Sequence, residues 1–158
     1  MNVKLAKRDN ILMTRINVKY RNGNVNRLKV QDGGDWVDLS VAEDVSLEVG
    51  EYKILDLGVV IELPDGYEAH IIPRSSTFGK WGILLANSYG LIDNSYCGEN
   101  DWWGFPALAM RKTEIPAGTR IAQFRLVKQG MNDIYFFGVG KEEWPHKTSR
   151  GGFGSTGN

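Results

Sequence analysis

Two stretches of this chain carry side chains suited to a phosphorylated ligand. The first is the C-terminal run Arg150-Gly151-Gly152-Phe153-Gly154-Ser155-Thr156-Gly157, where four glycines separate one cation, one aromatic ring and two hydroxyls. Glycine lets backbone N–H groups approach a ligand closely, while Arg150, Ser155 and Thr156 supply donors for phosphate. Phe153 offers a flat apolar surface that could cover a base. By composition alone such a tail is most simply a disordered terminus. What raises the functional reading is the second stretch, Gly90-Leu91-Ile92-Asp93-Asn94-Ser95-Tyr96-Cys97-Gly98, which sets a carboxylate and a phenol three residues apart in a glycine-bounded turn. A carboxylate can accept a proton from water and fix its direction. Asp-Asn is also an ordinary turn pair, and taken alone Asp93 would be read that way. Together the two stretches point to one nucleotide.

The elements that must position these groups read as strands. From Leu55 to Leu63, the residues Leu55, Leu57, Val59, Ile61 and Leu63 alternate with Asp56, Gly58, Val60 and Glu62, leaving one face wholly apolar. Pro64-Asp65-Gly66 supplies a turn, after which Tyr67, Ala69 and Ile71 resume the alternation, so a hairpin is expected. Further strands are expected at Ile83 to Ala86, Phe105 to Met110, Thr119 to Val127 and Ile134 to Val139. In Thr119 to Val127 apolar residues fall on both faces, Ala122, Phe124 and Leu126 on one and Ile121 and Val127 on the other, which suggests a strand covered on both sides, one of them by another subunit. One short helix is expected near Ser75 to Trp81, with Ser75 or Ser76 as its N-cap. Short strands separated by turn signals such as Asn22-Gly23, Asp32-Gly33-Gly34, Pro116-Ala117-Gly118 and Gln129-Gly130 indicate an all-β sandwich or barrel. From about Lys141 the pattern dissolves, giving a domain over residues 1–140 and a flexible C-terminal arm with its glycine-rich end over residues 141–158.

At 158 residues the chain is expected to form one domain with one compact core. Nineteen basic and nineteen acidic residues cancel, so no broad basic face for a polymeric nucleic acid is expected. A single cysteine, Cys97, and no run with the pattern of a secretory signal indicate a cytoplasmic protein. No apolar run approaches the roughly 20 residues needed to span a bilayer, so no membrane partner is expected.

Five segments stand in order along the chain: Asp35-Trp36-Val37-Asp38-Leu39-Ser40, Pro73-Arg74-Ser75-Ser76, the Gly90 to Gly98 loop, Arg120-Ile121-Ala122-Gln123 and the glycine tail. The set resembles the five motifs of the trimeric dUTPase family over roughly residues 30 to 158. PRSS and RIAQ are weak signals singly; their order and spacing beside GLIDxxYxG and GGFGSTG make the joint match specific. The resemblance implies a dUTPase-like, jelly-roll-like β-barrel forming a homotrimer, with the C-terminal arm crossing to a neighbouring subunit and closing over the site. The implied activity is hydrolysis of dUTP to dUMP and pyrophosphate by water attack on the α-phosphorus, with Mg2+ assisting. Such an activity limits uracil in DNA and supplies dUMP for thymidylate synthesis.

The resemblance also assigns roles. Asp93 would activate the attacking water and lie against the sugar 3′-hydroxyl, and the Tyr96 ring would sit beneath the deoxyribose, leaving no room for a 2′-hydroxyl. Asn87 and mainly the backbone of Gly90, Leu91 and Ile92 would read uracil, although Asn87 serves equally well as a simple turn residue. Arg74, Ser75 and Ser76 would hold phosphates at a helix start, and Gln123 would bond the α-phosphate side, while Arg120 is as readily a structural ion-pair partner. Asp38 would hold magnesium through water, the phosphates supplying the other ligands. In the tail, Phe153 would cover uracil, with Gly154, Ser155 and Thr156 at the phosphates. The family's tails place an arginine five residues before the phenylalanine; here that residue is Thr148, and Arg150 stands only three before Phe153, so the γ-phosphate contact falls to Arg150 or to Lys147. Cys97 is expected to be structural. Trp102 and Trp103 have no counterpart in the motifs and are expected at subunit contacts or in an inserted loop.

Two alternatives belong to the same resemblance. A dCTP deaminase relative would need a glutamate on the strand after the Asp93 loop, and Phe105 to Met110 offers none. A regulatory binding protein on the same fold, as short and often phage-encoded members suggest, would keep the nucleotide as a switch and use residues 99 to 105 as a partner surface.

Overall fold

The computed structural model describes residues 6–8, 11–131, 134–140, 142, 143 and 145. In chain order the strands are β1 (Ala6–Arg8), β2 (Ile11–Met13), β3 (Asn17–Tyr20), β4 (Val37–Ser40), β5 (Val45–Leu47), β6 (Tyr52–Asp56), β7 (Val59–Glu62) and β8 (Tyr67–Pro73). The single helix among the described residues, the short α1 (Thr77–Trp81), precedes β9 (Ile83–Leu85), β10 (Gly90–Ile92), β11 (Gly104–Ala109), β12 (Thr113–Ile115) and β13 (Arg120–Lys128). Two sheets dominate, one ordered β10-β8-β13-β4 and the other β6-β11-β9, with the pairs β3-β7, β12-β5 and β1-β2 beside them. Every pairing is antiparallel. Inward residues of both large sheets, among them Leu39, Ile71 and Phe124 from one and Leu55, Phe105 and Ala107 from the other, join one apolar core. The fold is all-β with one short helix, as the turn spacing indicated, and jelly-roll-like, as the resemblance implied. No helix among the described residues is long and apolar enough to cross a membrane.

The long alternation from Leu55 to Leu63 is realised as two strands. All five apolar residues are buried as expected, but the ladder breaks between β6 and β7 at Gly58, whose φ is +66°. A β-carbon there would run into the Val25 side chain and reach to 3.0 Å from the Ala42 Cβ, so the crossover from one sheet to another needs glycine. The expected hairpin across Pro64-Asp65-Gly66 does not form. The Tyr67 N–H closes a turn on the Pro64 carbonyl at 3.1 Å, yet β7 pairs with β3 while β8 lies between β10 and β13. Turn chemistry predicted the reversal of direction, and the partners came from elsewhere in the chain.

The β13 strand also differs from its expected form. A register shift between Arg120 and Ala122, where the strand faces β4, turns both Ile121 and Ala122 inward, and each is fully buried. Ile121 is therefore covered within this chain. The helix spans five residues, and Ser76 stands at its N-cap without a side-chain bond to the backbone. What fastens this segment is the buried Thr77 hydroxyl, which donates to the Ile121 carbonyl at 2.6 Å. No strand forms over Ile134 to Val139, where Tyr135, Phe136 and Phe137 are 83%, 87% and 77% exposed. A strand needs a neighbouring edge for its backbone groups, and the described residues offer this segment none.

Trp103 sits in this chain's own core, wholly buried, its ring meeting Phe124 edge to face at 5.1 Å between centroids. Its backbone grips the chain on either side of Gly58, the N–H donating to the Val59 carbonyl and the carbonyl accepting from the Leu57 N–H, each at 2.9 Å. The indole N–H is buried with no hydrogen-bond partner, so the residue is kept for shape and area. Trp103→Ala should destabilise the fold by about 3–5 kcal/mol in denaturant titration, as for other large-to-alanine changes in a core. A loss below about 1 kcal/mol would show that the indole does not anchor this corner.

Candidate active site

Residues expected to handle phosphate gather at one end of the four-stranded sheet. Asp38 on β4 lies opposite Gln123 on β13, and Gln123 lies opposite Ile72 on β8, so the outward side chains of three strands converge there. Arg74 follows β8 directly. Its Nε is 2.8 Å from Asp38 Oδ1, and Arg120 Nη1 is 3.0 Å from Asp38 Oδ2. Half-exposed ion pairs of this kind add about 0–1 kcal/mol to stability, so their value here is geometric. Two guanidinium groups around one carboxylate leave an excess positive charge beside the Ser75 and Ser76 hydroxyls, as an anion site requires. The Arg74 N–H donates to the Ile121 carbonyl at 3.2 Å, and Gln123 Nε2 reaches the Pro73 carbonyl at 3.4 Å, which ties the cluster to the backbone beneath it. Arg120 thus belongs to the cluster as the second partner of Asp38. The five-residue helix is too short for its dipole to contribute much, and the arginines and hydroxyls carry the phosphate chemistry.

The base and sugar residues gather elsewhere. Asn87 and Ser88 form the exposed turn between β9 and β10, with Ser88 at φ +62° and its N–H donating to the Leu85 carbonyl at 2.9 Å. Gly90, Leu91 and Ile92 make β10 and pair with Ile71, His70 and Ala69 on β8. Gly90 is buried, and a β-carbon on it would lie 3.0 Å from that of Ile71, so the close approach of the hairpin to the sheet requires glycine. Asp93 leaves the end of β10 exposed to solvent, and the Tyr96 N–H donates to the Asp93 carbonyl at 3.1 Å. The Tyr96 ring is 41% exposed, with its hydroxyl 3.4 Å from the Trp102 carbonyl. The turn continues through Gly98, whose N–H donates to Asp101 Oδ2 at 2.6 Å.

Within one chain the phosphate cluster and the Asp93 loop do not meet. Ile92 faces Ala69 near the start of β8, whereas Arg74 follows its last residue. Five extended residues separate Ala69 from Arg74, roughly 17 Å of strand. The structure therefore brings together Asp38, Arg74, Ser75, Ser76 and Gln123 at one end of β8 and sets Asp93 and Tyr96 beyond the other, with Gly90, Leu91 and Ile92 along the sheet between them and Asn87 in the turn that precedes Gly90, on the Arg74 side. The remaining expected residues, Lys147, Arg150, Phe153, Gly154, Ser155 and Thr156, lie outside the described residues. No group of three or more His, Cys, Asp or Glu side chains among the described residues could hold a metal by itself.

Several contacts at the second cluster were not anticipated. Tyr89 places its hydroxyl 2.6 Å from His70 Nδ1, and His70 Nε2 is 2.6 Å from Glu68 Oε1, fastening the hairpin across the sheet face. The alternation of β8 put Glu68 and His70 on one face, but nothing in sequence tied Tyr89 to them. Trp102 is half-buried beneath two cations, with Arg21 Cζ 4.1 Å and Lys19 Nζ 5.2 Å from its ring centroid. Cys97 is exposed.

Comparison with known proteins gives the family. Residues 35–157 match the family model described as dUTPase. The SPbeta prophage-derived deoxyuridine 5'-triphosphate nucleotidohydrolase of Bacillus subtilis is 45% identical over 146 residues, which covers 90% of this chain and 97% of that relative. The deoxyuridine 5'-triphosphate nucleotidohydrolase of a Thermoanaerobacter species is 37% identical over 132 residues, 81% of this chain and 85% of the relative. The crystal structure of the dUTPase from Streptococcus mutans superposes with a TM-score of 0.65 at 24% identity, over 75% of this chain and 98% of that one. A variant of the dUTPase from phage phi11 of S. aureus, solved with a coordinated structural Mg(II) ion, superposes at 0.66 with 18% identity, over 78% and 96% of the two chains. With the family model spanning most of its length and relatives matched nearly end to end, the chain belongs to the dUTPase family.

Proposed function

We propose that this chain hydrolyses dUTP to dUMP and pyrophosphate, with Asp93 as the general base. The observation that carries the reading is the loop after β10. It presents an exposed carboxylate and a half-exposed phenol joined by a backbone hydrogen bond, directly beyond a hairpin whose backbone is held close to the sheet. Asp93 accepts a proton from water as the water oxygen bonds to the α-phosphorus. The bond from that phosphorus to the bridging oxygen breaks, and pyrophosphate departs with the oxygen. Arg74, Ser75, Ser76 and Gln123 bind the phosphates and stabilise the charge on them. A magnesium ion arriving on the phosphates would take its ligands mainly from them and offset their charge. Asp38 fits an outer position: each oxygen accepts from an arginine and keeps a lone pair for a metal-bound water.

The complete site is proposed to form between copies in a homotrimer. Three observations support this. The phosphate and sugar clusters lie at opposite ends of β8. The outer face of the β6-β11-β9 sheet is apolar, with Tyr52, Ile54 and Leu84 at 57%, 60% and 42% exposure around Pro106 and Leu108. The exposed aromatics Tyr135, Phe136 and Phe137 leave the sheet as an apolar arm, suited to burial on a neighbouring copy. The arm would continue into the glycine tail, where Phe153 covers the base and Arg150 or Lys147 reaches the γ-phosphate. A cytoplasmic setting agrees with the single unpaired thiol. In the surface considered for a regulatory partner, residues 99 to 105, Trp103 and Phe105 are wholly buried, while Glu99 and Asn100 are exposed and Asp101, Trp102 and Gly104 are partly so.

Incubation with dUTP, dCTP and UTP in the presence of magnesium, following pyrophosphate and ammonia, tests the reading. Pyrophosphate from dUTP in strong preference to UTP and dCTP is expected. Ammonia from dCTP would replace hydrolysis with deamination as the activity.

A further inference from the structure

Tyr96 lies in the middle of an eleven-residue stretch, Asp93 to Trp103, with no ladder of its own. If its ring is to exclude a 2′-hydroxyl, something must hold its height, because a shift of an ångström would admit the extra oxygen. The stretch is fastened at one end by β10 and at the other by buried Trp103. Between them the fastening comes from β3 and the residue after it. Lys19 Nζ donates to the Glu99 carbonyl at 3.0 Å and lies 3.8 Å from Glu99 Oε1. Arg21 rests on the Trp102 ring at 4.1 Å and is itself fixed by an ion pair with Asp56 on β6. Lys19 also lies against that ring, at 5.2 Å. The backbone carbonyl of Trp102 then accepts from the Tyr96 hydroxyl.

One exposed cation over one ring is worth little, about 0.5–1 kcal/mol. Here two cations, a backbone hydrogen bond and an ion pair act on residues three apart, and the chain of contacts ends on the phenol. Lys19 and Arg21 precede residue 35, where the family match begins.

We propose that Lys19, Arg21 and Trp102 are positioning residues for sugar selection, clamping the loop so that Tyr96 stands at the height that rejects ribonucleotides. The inference rests on the dUTP reading above. Its test is the ratio of kcat/KM for dUTP to that for UTP, measured on the full chain and on Arg21→Gln, Trp102→Ala, Arg21→Lys and Trp102→Phe. The ratio should fall about two- to fivefold in Arg21→Gln and at least as far in Trp102→Ala, matching loss of a cation–π contact, through a higher KM for dUTP and faster use of UTP. The kcat for dUTP should stay within about threefold of the native value, since Asp93 and the phosphate cluster are untouched. Arg21→Lys and Trp102→Phe, which keep a cation and a ring, should retain most of the ratio.

Thermal unfolding separates a clamp from a merely structural part. Arg21 is 40% exposed, so Arg21→Gln carries the test even if Trp102→Ala folds poorly. Native-like discrimination in a folded Arg21→Gln chain would overturn the inference alone. A native chain that does not prefer dUTP to UTP would overturn the functional reading, and the inference with it.

Discussion

Asp93→Asn should lower kcat for dUTP by about 10²–10⁴-fold while nucleotide binding stays within a few-fold of native, as expected when a general base is removed and its shape kept. Asp93 is exposed at the end of β10, outside the core, so the substitution leaves the fold intact. The asparagine can still bond a sugar hydroxyl and preserves the turn closed by the Tyr96 N–H. It cannot take the proton that water must lose as its oxygen bonds to phosphorus. Pyrophosphate release and calorimetric binding of a non-hydrolysable dUTP analogue, run side by side, separate the two effects. Turnover near the native rate would remove Asp93 from the mechanism, and binding lost in parallel with turnover would make it a ligand-holding residue instead.

The second large effect concerns where the site is assembled. Arg74→Gln should cost about 10–100-fold in kcat/KM, the range for losing hydrogen bonds to a charged group. Mixing this variant with Asp93→Asn under conditions that let subunits exchange should then restore activity to about a quarter of native, because random assortment places an intact Asp93 loop beside an intact phosphate cluster in one site of four. The expectation follows from the roughly 17 Å of β8 that separate the two clusters within a chain. If one chain supplied both halves of a site, every site in the mixture would carry one lesion, and activity would not rise above the mean of the two parents. Rates measured before and after exchange distinguish these outcomes without any change in protein concentration.

Parts of the fold were legible because they obey local rules. The period-two alternation of Leu55 to Leu63 marked five buried side chains, since successive residues of a strand face opposite sides, but it did not show that Val60 on the other face is buried as well. Ser75 to Trp81 was legible as a helix to within two residues. Strand partners were not legible. Whether β7 folds back on β8 or pairs with β3 depends on which apolar faces close the common core, and the turn at Pro64-Asp65-Gly66 is compatible with both. The bulge at Arg120 to Ala122 was likewise hidden, because an apolar residue on the wrong face reads equally well as a second covered surface. The expected strand at Ile134 to Val139 does not form, because its backbone finds no edge among the described residues.

The candidate site divides along the same line. Sequence alone determined its chemistry: a carboxylate for water, a phenol three residues on, arginine and hydroxyls for phosphate, and a glycine tail with one aromatic. Those identities survive any rearrangement of the chain, since they are properties of side chains and of short spacings. Tertiary structure decided their grouping. It joined Asp38 to Arg74 and Arg120 across three strands, set Asp93 and Tyr96 at the far end of β8, and brought Lys19 and Arg21 onto Trp102 from some eighty residues away. Contacts of that range follow from hydrogen-bond register and the closing of one core, which no local pattern encodes.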